Sequence, residues 1–331
     1  MSNELKTKAQ IVAVGAGRMG RGIGHIFAFG GYPVTLLDVK QRSAADFEKL
    51  EKTARSEIRT NLELLASMDV LKNEQIDKAM KLITVAPLSD AANVLAAAGA
   101  VIEGVPETLE AKESALKLIG EYTQSNVAVL STTSSMLVIV LQDFIAHPER
   151  FLNAHFLNPA FLIPLVEISP GSKTEEKVVD EVFALLEGIG KIPVRCAATP
   201  GYIIPRLQSL VMSEACRMVD EGVATAEEID KAITCGFGPR YTTMGLLEFI
   251  DYGGLDTHFY ASHRLAKNLN SPAHAPPPSV DKMMARGDRG MHAGQGYYHF
   301  KDRDIEKYQQ EKLSAFVTMF NQLGHIPKPG V

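Results

Sequence analysis

A short β-branched run, QIVAV, leads straight into the glycine-rich stretch GAGRMG at residues 15–20, and a helical segment follows it. A second β-branched run, PVTLLD, then ends at Asp38. Each glycine has a separate physical role. Gly15 permits a tight turn, Gly17 lets the backbone approach a pyrophosphate, and Gly20 allows the helix to pack closely on the strand. We therefore predict a strand–loop–helix–strand unit that binds a dinucleotide.

The ends of this unit indicate which dinucleotide is bound. Arg18 and Met19 lie at the helix N-terminus, where free N–H groups and the positive end of the helix dipole favour a phosphate. Asp38 can accept hydrogen bonds from both hydroxyls of a ribose and would repel a 2′-phosphate, which favours NAD over NADP. The alternative interpretation is a glycine-rich turn that binds no ligand.

Strands and helices continue to alternate through about residue 199. The further β-branched runs are AVIEGV, VAVLSTT, FLNAHFL and IPVRCA, and helices are predicted near 19–30, 42–67, 108–122 and 174–188. This alternation is typical of an α/β fold with a Rossmann-type, doubly wound, mostly parallel sheet. After TPG at 199–201 the pattern becomes helical. We predict an NAD-binding domain over residues 1–199 and a smaller all-α domain over residues 200–331.

The helical part carries two apolar stripes. The first predicts that a helix beyond residue 204 buries one face, and it consists of Leu207, Leu210, Val211 and Met218. The second lies on a helix over about 302–323 and consists of Ile305, Tyr308, Phe316, Phe320 and Leu323. A helix with one apolar face must bury it on its own domain or on a partner. The stripe over about 302–323 therefore indicates either core packing or a subunit contact.

Composition and charge exclude several functional classes. A net charge of −5 without any Lys/Arg-rich run gives no reason to expect nucleic-acid binding. No apolar run is long enough to cross a membrane, and MSNELKTKAQ has no apolar segment of the signal-peptide type. Cys196, Cys216 and Cys235 are odd in number and form no CxxC pair, which is typical of reduced thiols in a cytoplasmic protein. The nine histidines show no ligand-like spacing, so no metal site is expected.

One apolar stretch, AHFLNPAFLIPLVEIS, contains an imidazole at His155 and a carboxylate at Glu167. Fully extended, the residues between them would span roughly 40 Å, so the two side chains meet only if the chain reverses. Asn158-Pro159 and Pro164 are the residues that could reverse it. A buried Glu is rare unless it is paired, and a neutral His can accept a proton near pH 7. A His satisfied within the core is the alternative interpretation.

A hydroxyl-rich segment, STTSSM at residues 131–136, follows the fifth β-branched run. In an open α/β sheet, ligands bind at the carboxyl ends of the strands. Three strand ends are therefore candidates for one site: the glycine loop, the STTSSM segment with Ser134, and the stretch that ends at His155.

Taken in order, the motifs GAGRMGRGI, VIEGVPETLEAK, STTSSM, HFLNP and PLVEI resemble the L-3-hydroxyacyl-CoA dehydrogenase family. TPGYIIPRL, the EIDKAI helix and GQGYYHF extend the similarity over nearly the whole chain. The resemblance implies reversible, NAD-dependent oxidation of the 3-hydroxyl group of a short L-3-hydroxyacyl-CoA, carried out by a homodimer.

The resemblance also implies roles for individual residues. It makes His155 the general base, Glu167 its orienting partner, and Ser134 a hydrogen-bond donor to the substrate oxygen. It places Glu107 and Lys112 near the nicotinamide ribose. It places Asn158 near the nicotinamide itself. Taken alone, Glu107 and Lys112 could equally belong to a solvated helix start, and Asn158 could be a turn residue.

The chain departs from the family pattern at several positions. Pro205 stands where the family has an active-site Asn, so the substrate contact there loses its amide and the helix is expected to start late or kink. His292 stands where a cofactor-contacting Lys is expected. Ser67 and Met68 replace lysines that help to hold coenzyme A.

Two further interpretations remain open. The segments IPLVEI and GPRYTTMG are closer to relatives that oxidise free hydroxy acids, namely the L-gulonate, carnitine and lambda-crystallin branch. A free 3-hydroxy acid is therefore the alternative substrate. An alternative of another class is an NAD(H)-binding sensor or structural protein without catalytic turnover.

Overall fold

A computed structural model describes residues 8–326 of the chain. The described chain forms two compact units, which divide between Val211 and Met212. This division lies within a helix that begins at Ile204, beyond the boundary near residue 200 that was inferred from the change in sequence pattern.

The first unit is built on one eight-stranded sheet with the order β3-β2-β1-β4-β5-β6-β7-β8. Its strands are β1 Ile11–Val14, β2 Val34–Leu37, β3 Ile83–Ala86, β4 Ala100–Glu103, β5 Ala128–Ser131, β6 Phe151–Phe156, β7 Leu165–Pro170 and β8 Ile192–Arg195. All neighbouring pairs are parallel except β6 and β7. The strand order reverses between β1 and β4, where this fold binds its ligands. The prediction of a Rossmann-type, mostly parallel sheet is confirmed.

The helices of this unit are α1 Arg18–Phe29, α2 Ala44–Ser67, α3 Asn73–Lys81, α4 Ala91–Ala96, α5 Leu109–Tyr122, α6 Val138–Leu141 and α7 Glu176–Glu187. The helix α8, Ile204–Asp220, crosses into the second unit. Four of these helices match the predicted ones. The sequence analysis missed β3, β7, α3, α4 and α6. Of these, β3, α4 and α6 have only four to six residues, which is too few for a clear periodicity.

The strands read as continuous apolar runs because the sheet is buried on both faces. Along β1, Ile11 and Ala13 belong to one apolar cluster, whereas Val12 and Val14 belong to another. Successive strand side chains point to opposite faces, so these clusters lie on the two sides of the sheet. Polar side chains that emerge at the carboxyl ends of the strands are thereby held on a rigid base.

The second unit is helical. It contains the end of α8, α9 Ala226–Ala232, a π-helical turn Ile233–Phe237, α10 Arg240–Thr243, α11 Leu246–Gly253, α12 Leu255–Asn268, α13 Pro278–Arg286 and α14 Ile305–Gln322. In the described part of this unit, β-type pairing is limited to isolated bridges between Gly290 and Gln295 and between Gln295 and His299. The prediction of a helical second part is confirmed.

The core of the second unit is small. One buried cluster consists of Leu255, Val280 and Met283, and another of Met291, Phe300 and Tyr308. No residue of α8 is buried, so the prediction that α8 buries its apolar face is wrong for the chain by itself. The periodicity correctly identified an apolar face, but it could not show what covers that face. Within residues 8–326, no helix is long and apolar enough to cross a membrane.

Candidate active site

The turn between β1 and α1 is an open backbone cradle. Gly15 has a φ of +103°, and a Cβ atom at Gly20 would lie 1.7 Å from the carbonyl oxygen of Gly15, so both positions require glycine. Gly17 precedes α1, supplies no side-chain cap for its first N–H groups, and would have nothing within 4 Å of an added Cβ. This turn therefore leaves room and free donors for a phosphate group.

A cavity of about 300 Å³ opens beside this cradle. It is lined by Gly17, Arg18, Met19, Gly104, Val105, Pro106, Glu107, Thr132, Ser134 and Asn158. These residues come from the glycine loop, from the segments just after β4 and β5, and from the turn between β6 and β7. The structure thus brings together most of the residues that the sequence assigned to the cofactor.

Asp38 lies directly after β2 and is almost fully buried. Its Oδ2 atom accepts a hydrogen bond from Nε of Arg42 at 2.5 Å, and its Oδ1 atom accepts one from the N–H group of Lys40 at 3.4 Å. The carboxylate is therefore held in one orientation at the end of the strand. The residues present fit NAD, because the glycine cradle suits the pyrophosphate and a fixed carboxylate suits a ribose diol.

His155 and Glu167 meet because β6 and β7 are antiparallel. The two residues are direct partners in the register, and Nδ1 of His155 lies 2.8 Å from Oε2 of Glu167. Both side chains are buried. The chain reverses through a turn that includes the cis Asn158–Pro159 peptide bond. The reversal expected from Asn158-Pro159 and Pro164 is present.

Ser134 completes a chain of three side chains. Its Oγ atom lies 3.1 Å from Nε2 of His155. With Nδ1–H donating to Glu167, Nε2 is left as an acceptor, which is the tautomer that the hydrogen-bond network favours. The imidazole therefore presents a basic nitrogen next to a hydroxyl group, at the carboxyl end of the sheet.

The second carboxylate oxygen of Glu167 is also satisfied. Oε1 accepts hydrogen bonds from the N–H groups of Ile203 and Ile204, both at 2.8 Å, at the start of α8. These donors and the positive end of the helix dipole stabilise a carboxylate that has no contact with water. Pro205 follows in the first turn of α8, where its missing N–H group leaves no broken helix bond. The expected late start or kink at Pro205 is therefore absent.

Glu107 fixes the STTSSM segment. Its Oε1 atom accepts hydrogen bonds from the N–H groups of Ser134 and Ser135 at 2.9 Å, from the Ser135 hydroxyl at 2.9 Å and from the Thr133 hydroxyl at 2.5 Å. Partial burial alone would raise the pKa of Glu107. The Thr133 hydrogen bond, the charge of Lys112 and the Ser135 hydrogen bonds outweigh it and lower this pKa to about 2. A carboxylate that is ionised at neutral pH thus holds the loop that carries Ser134.

Lys112 is completely buried behind Glu107. Its Nζ atom lies 3.0 Å from both oxygens of Glu103 and 3.4 Å from Oε2 of Glu107. Glu103 also accepts hydrogen bonds from the Ser131 hydroxyl at 2.6 Å and the Val105 N–H group at 2.7 Å. The Lys112 ammonium group is thus occupied by two carboxylates. The sequence analysis did not single out Glu103, although a carboxylate inside the apolar run AVIEGV was a usable signal.

Some candidate residues also line a further cavity, whereas others lie at the surface. Arg18, Met19 and Asn158 line a second cavity of about 440 Å³, together with Gly22, Glu57, Asn61, Pro159, Ala160 and Phe161. Ser67 and Met68 end α2 at the surface. His292 is exposed in the turn Met291–Ala293 of the second unit.

An open, mostly parallel sheet with a glycine cradle and a buried His–Glu pair defines the class of Rossmann-type oxidoreductases. Residues 10–199 match the family described as 3-hydroxyacyl-CoA dehydrogenase, NAD binding domain, and residues 201–300 match its C-terminal domain. The chain belongs to the 3-hydroxyacyl-CoA dehydrogenase family, and its cofactor is NAD.

Relatives agree with this assignment. The chain is 31% identical over 297 residues to human mitochondrial hydroxyacyl-coenzyme A dehydrogenase. This match covers 88% of this chain and 91% of the relative. A solved 3-hydroxyacyl-CoA dehydrogenase from Archaeoglobus fulgidus matches with a TM-score of 0.75 and 29% identity, and it covers 96% of this chain and 100% of that one. A solved 5-formyl-3-hydroxy-2-methylpyridine 4-carboxylic acid 5-dehydrogenase, an NAD⁺-dependent dismutase, matches with a TM-score of 0.67 and 25% identity over 96% of this chain and 100% of that one.

Proposed function

We propose that this protein reversibly oxidises the 3-hydroxyl group of a short L-3-hydroxyacyl-CoA, such as 3-hydroxybutyryl-CoA, to the 3-oxoacyl-CoA. The observation that carries the proposal is the hydrogen-bonded chain of Ser134, His155 and Glu167 beside the cavity of the glycine cradle. Oxidation of a secondary alcohol needs a base for the O–H proton and an acceptor for the hydride. The family supplies the acceptor as NAD.

His155 takes the proton. Oγ of Ser134 and Nε2 of His155 are 3.1 Å apart, so both atoms can reach one substrate oxygen. Ser134 donates a hydrogen bond to this oxygen and holds it in place. Glu167 accepts the Nδ1–H hydrogen bond, and its negative charge stabilises the imidazolium that forms when the proton arrives. The N–H groups of Ile203 and Ile204 bind Oε1 of Glu167 and so hold the carboxylate in its orientation towards His155.

The cofactor contacts follow from the cradle. The pyrophosphate would be held by Gly15, Gly17, Arg18, Met19 and Gly20. Asp38 would accept hydrogen bonds from the ribose hydroxyls of the adenosine half. For the nicotinamide half, the proposed contacts are Glu107, Ser134, Asn158 and His292. Lys112 acts on the cofactor through Glu107 rather than by direct contact, because it is buried between Glu103 and Glu107. This assignment makes residues 1–199 the NAD-binding domain and residues 200–331 the substrate and dimerisation domain.

A free 3-hydroxy acid is the second candidate substrate. Coenzyme A carries phosphates that need cations, and α2 ends in Ser67 and Met68 where the family has lysines. Arg59, a nearby cation, is already paired with Asp77 at 2.9 Å. The name of one solved relative describes a pyridine carboxylic acid substrate without coenzyme A.

Steady-state formation of NADH distinguishes the candidates. We expect measurable kcat/KM with 3-hydroxybutyryl-CoA. Truncation to the pantetheine thioester should cause only a modest loss, because Ser67 and Met68 replace the lysines and each missing charge-assisted phosphate contact forfeits about 1.5–3 kcal/mol. A strong preference for free acids such as L-gulonate would make the second candidate correct. No turnover of any 3-hydroxy compound, combined with tight NADH binding, would indicate a sensor or a structural protein.

We also propose a homodimer that uses the second unit. The apolar side chains of α8 remain exposed, including Met212 at 61%, and α14 leaves Leu313, Val317 and Leu323 at least half exposed. Exposed apolar helix faces of this extent are covered in stable proteins. Sedimentation at micromolar protein concentration tests this proposal, and a species with only the mass of one chain would contradict it.

The cellular setting is proposed on the basis of thiol chemistry. Cys196, Cys216 and Cys235 are all free, as expected of a chain kept in a reducing compartment such as the cytoplasm. There the reaction would serve fatty acid metabolism. The human relative is named mitochondrial, so fractionation of the source cells decides between the two locations.

A further inference from the structure

Tyr202 has an unusual position between β8 and α8. It is buried, and its φ of 46° lies in the left-handed region that side-chain-bearing residues rarely adopt. A backbone held in this region is strained and persists only where surrounding contacts impose it, and such residues cluster at functional sites. The contacts that hold Tyr202 in this conformation therefore point to a role at the site.

The ring of Tyr202 lies flat against His155. The two ring centroids are 4.9 Å apart and the ring planes differ by 1°. On β6, Asn153 and His155 are two residues apart and so project from the same face of the strand. The tyrosine extends along this face, with its ring over the imidazole and its hydroxyl at Asn153. Sideways tilting of the imidazole is blocked by this stack.

The hydroxyl of Tyr202 ties the same ring to the segment that carries Ser134. It donates a hydrogen bond to the carbonyl oxygen of Thr133 at 2.9 Å and accepts one from Nδ2 of Asn153 at 3.1 Å. Nδ2 of Asn153 also donates to the carbonyl oxygen of Met136 at 3.0 Å. The segment is therefore held on both sides of Ser134. Burial raises the pKa of Tyr202 well above its usual range, so the hydroxyl remains a donor throughout the working pH range.

The backbone next to Tyr202 reaches the third member of the site. The N–H groups of Ile203 and Ile204 are the two that bind Glu167. One short segment thus touches the Ser134 loop through a hydroxyl, His155 through a ring and Glu167 through backbone donors.

We propose that Tyr202 is a positioning residue that sets the distance and orientation between Oγ of Ser134 and Nε2 of His155. This inference rests on the proposed function. Its two parts are separable, because the ring orients the imidazole and the hydroxyl holds the loop of Ser134. The Tyr202 hydroxyl bonds to Thr133 and Asn153 rather than to Nε2 of His155 or Oγ of Ser134. We therefore expect Tyr202 to act on kcat, by holding these two atoms in place, rather than on substrate binding.

Two substitutions separate these parts. Tyr202→Phe keeps the ring and removes the hydroxyl, and we expect kcat to fall about two- to tenfold. Tyr202→Leu removes the stack as well, and we expect a fall of about tenfold to a hundredfold. The KM for the hydroxy substrate and the affinity for NADH should stay within about twofold, since a residue that only positions catalytic groups contributes nothing to ground-state binding. Tyr122→Phe and Tyr122→Leu, on α5, serve as matched controls.

Coupling to Ser134 tests the route of action. If Tyr202 acts through the Ser134–His155 geometry, the losses in Ser134→Ala and Tyr202→Leu should be clearly less than additive in the double variant. Additive losses, an unchanged kcat in folded Tyr202→Leu, or a fall in NADH affinity equal to the fall in kcat would each overturn the proposal. Thermal melting of each variant shows whether it is folded.

A readout without substrate keeps this proposal distinct from the proposed function. Nitrogen-15 NMR of labelled histidine, assigned by comparison with His155→Gln, should show one fixed tautomer for His155 in the wild type and averaging between tautomers in Tyr202→Leu. A fixed tautomer in Tyr202→Leu would refute the role of the ring even if the natural substrate were a different one. Absence of turnover in the wild type, with the NMR result as expected, would instead reject only the proposed function.

Discussion

The two units of this protein differ in how far their strands and helices are buried. In the first unit, every residue of β1, β2, β4 and β5 is buried. In the second unit, α14 buries Tyr308 alone, and α8, which enters it from the first, buries no residue at all. A sheet that is covered by its own helices needs no further partner, whereas a helix layer with open apolar faces does.

This difference in burial suits the first unit to catalysis and the second unit to association. The proposed catalytic site needs side chains held within tenths of an ångström, and the first unit supplies a close-packed base for them. The second unit carries surplus apolar surface, which suits association rather than precise positioning. Substitutions in each unit test this division, and the largest expected effect comes first.

Substitution of His155 tests whether the buried pair of the first unit is the chemical centre. We expect His155→Gln to lower kcat by about 10²–10⁴-fold, because the general base is lost. NADH binding, measured by fluorescence titration, should be retained. The matched control is His147→Gln, which changes an exposed imidazole that also contacts a carboxylate, Glu149. Full activity of the His155 variant would reject the assignment.

An acidic residue at an exposed apolar position of α8, in the part of this helix that belongs to the second unit, tests the role of that unit. Met212→Glu should weaken self-association by at least about a hundredfold, since an unpaired charge would have to be buried in the interface. Sedimentation over a range of protein concentrations measures this shift. The control is Met68→Glu, which makes the same change at an equally exposed methionine of the first unit. An equal effect of both variants would remove the distinction between the two units.

Asp38 and Arg42 sharpen the cofactor assignment within the first unit. Asp38→Ala should raise the KM for NAD about tenfold, because the hydrogen-bond acceptor for the ribose is lost. It should also bring kcat/KM with NADP closer to kcat/KM with NAD, because the Arg42 guanidinium is freed to bind a 2′-phosphate. Adding Arg42→Ala to this variant should abolish its increase in kcat/KM with NADP. Equal use of both cofactors by the wild type would contradict the prediction.

The smallest effect concerns acid stability. The pKa of Glu107 falls from 4.5 to about 2 on folding, so its contribution to the free energy of unfolding is complete above pH 4.5 and is lost as the pH falls towards 2. Glu107→Gln lacks this titration. Its melting temperature should therefore fall less than that of the wild type between pH 6 and pH 3. Glu113→Gln, which changes a partly exposed carboxylate on α5, is the control, and its melting temperature should depend on pH as that of the wild type does.

The sequence by itself determined the local features of this protein. The glycine loop, the end of the second strand at Asp38 and the alternation of strands with helices depend on backbone conformation and periodicity, which neighbouring residues specify. The His155–Glu167 pair was also within reach, because only a short turn separates its two strands and a buried carboxylate requires a partner.

Only the tertiary structure decided which distant segments meet. The stack of Tyr202 on His155, the backbone donors at Ile203 and Ile204, and the burial of Lys112 between Glu103 and Glu107 join different strands and loops of the first unit. The sequence also could not show that the apolar face of α8 stays uncovered within a single chain. Periodicity reports which side of an element is apolar, whereas the surface that covers this side depends on how the whole chain packs.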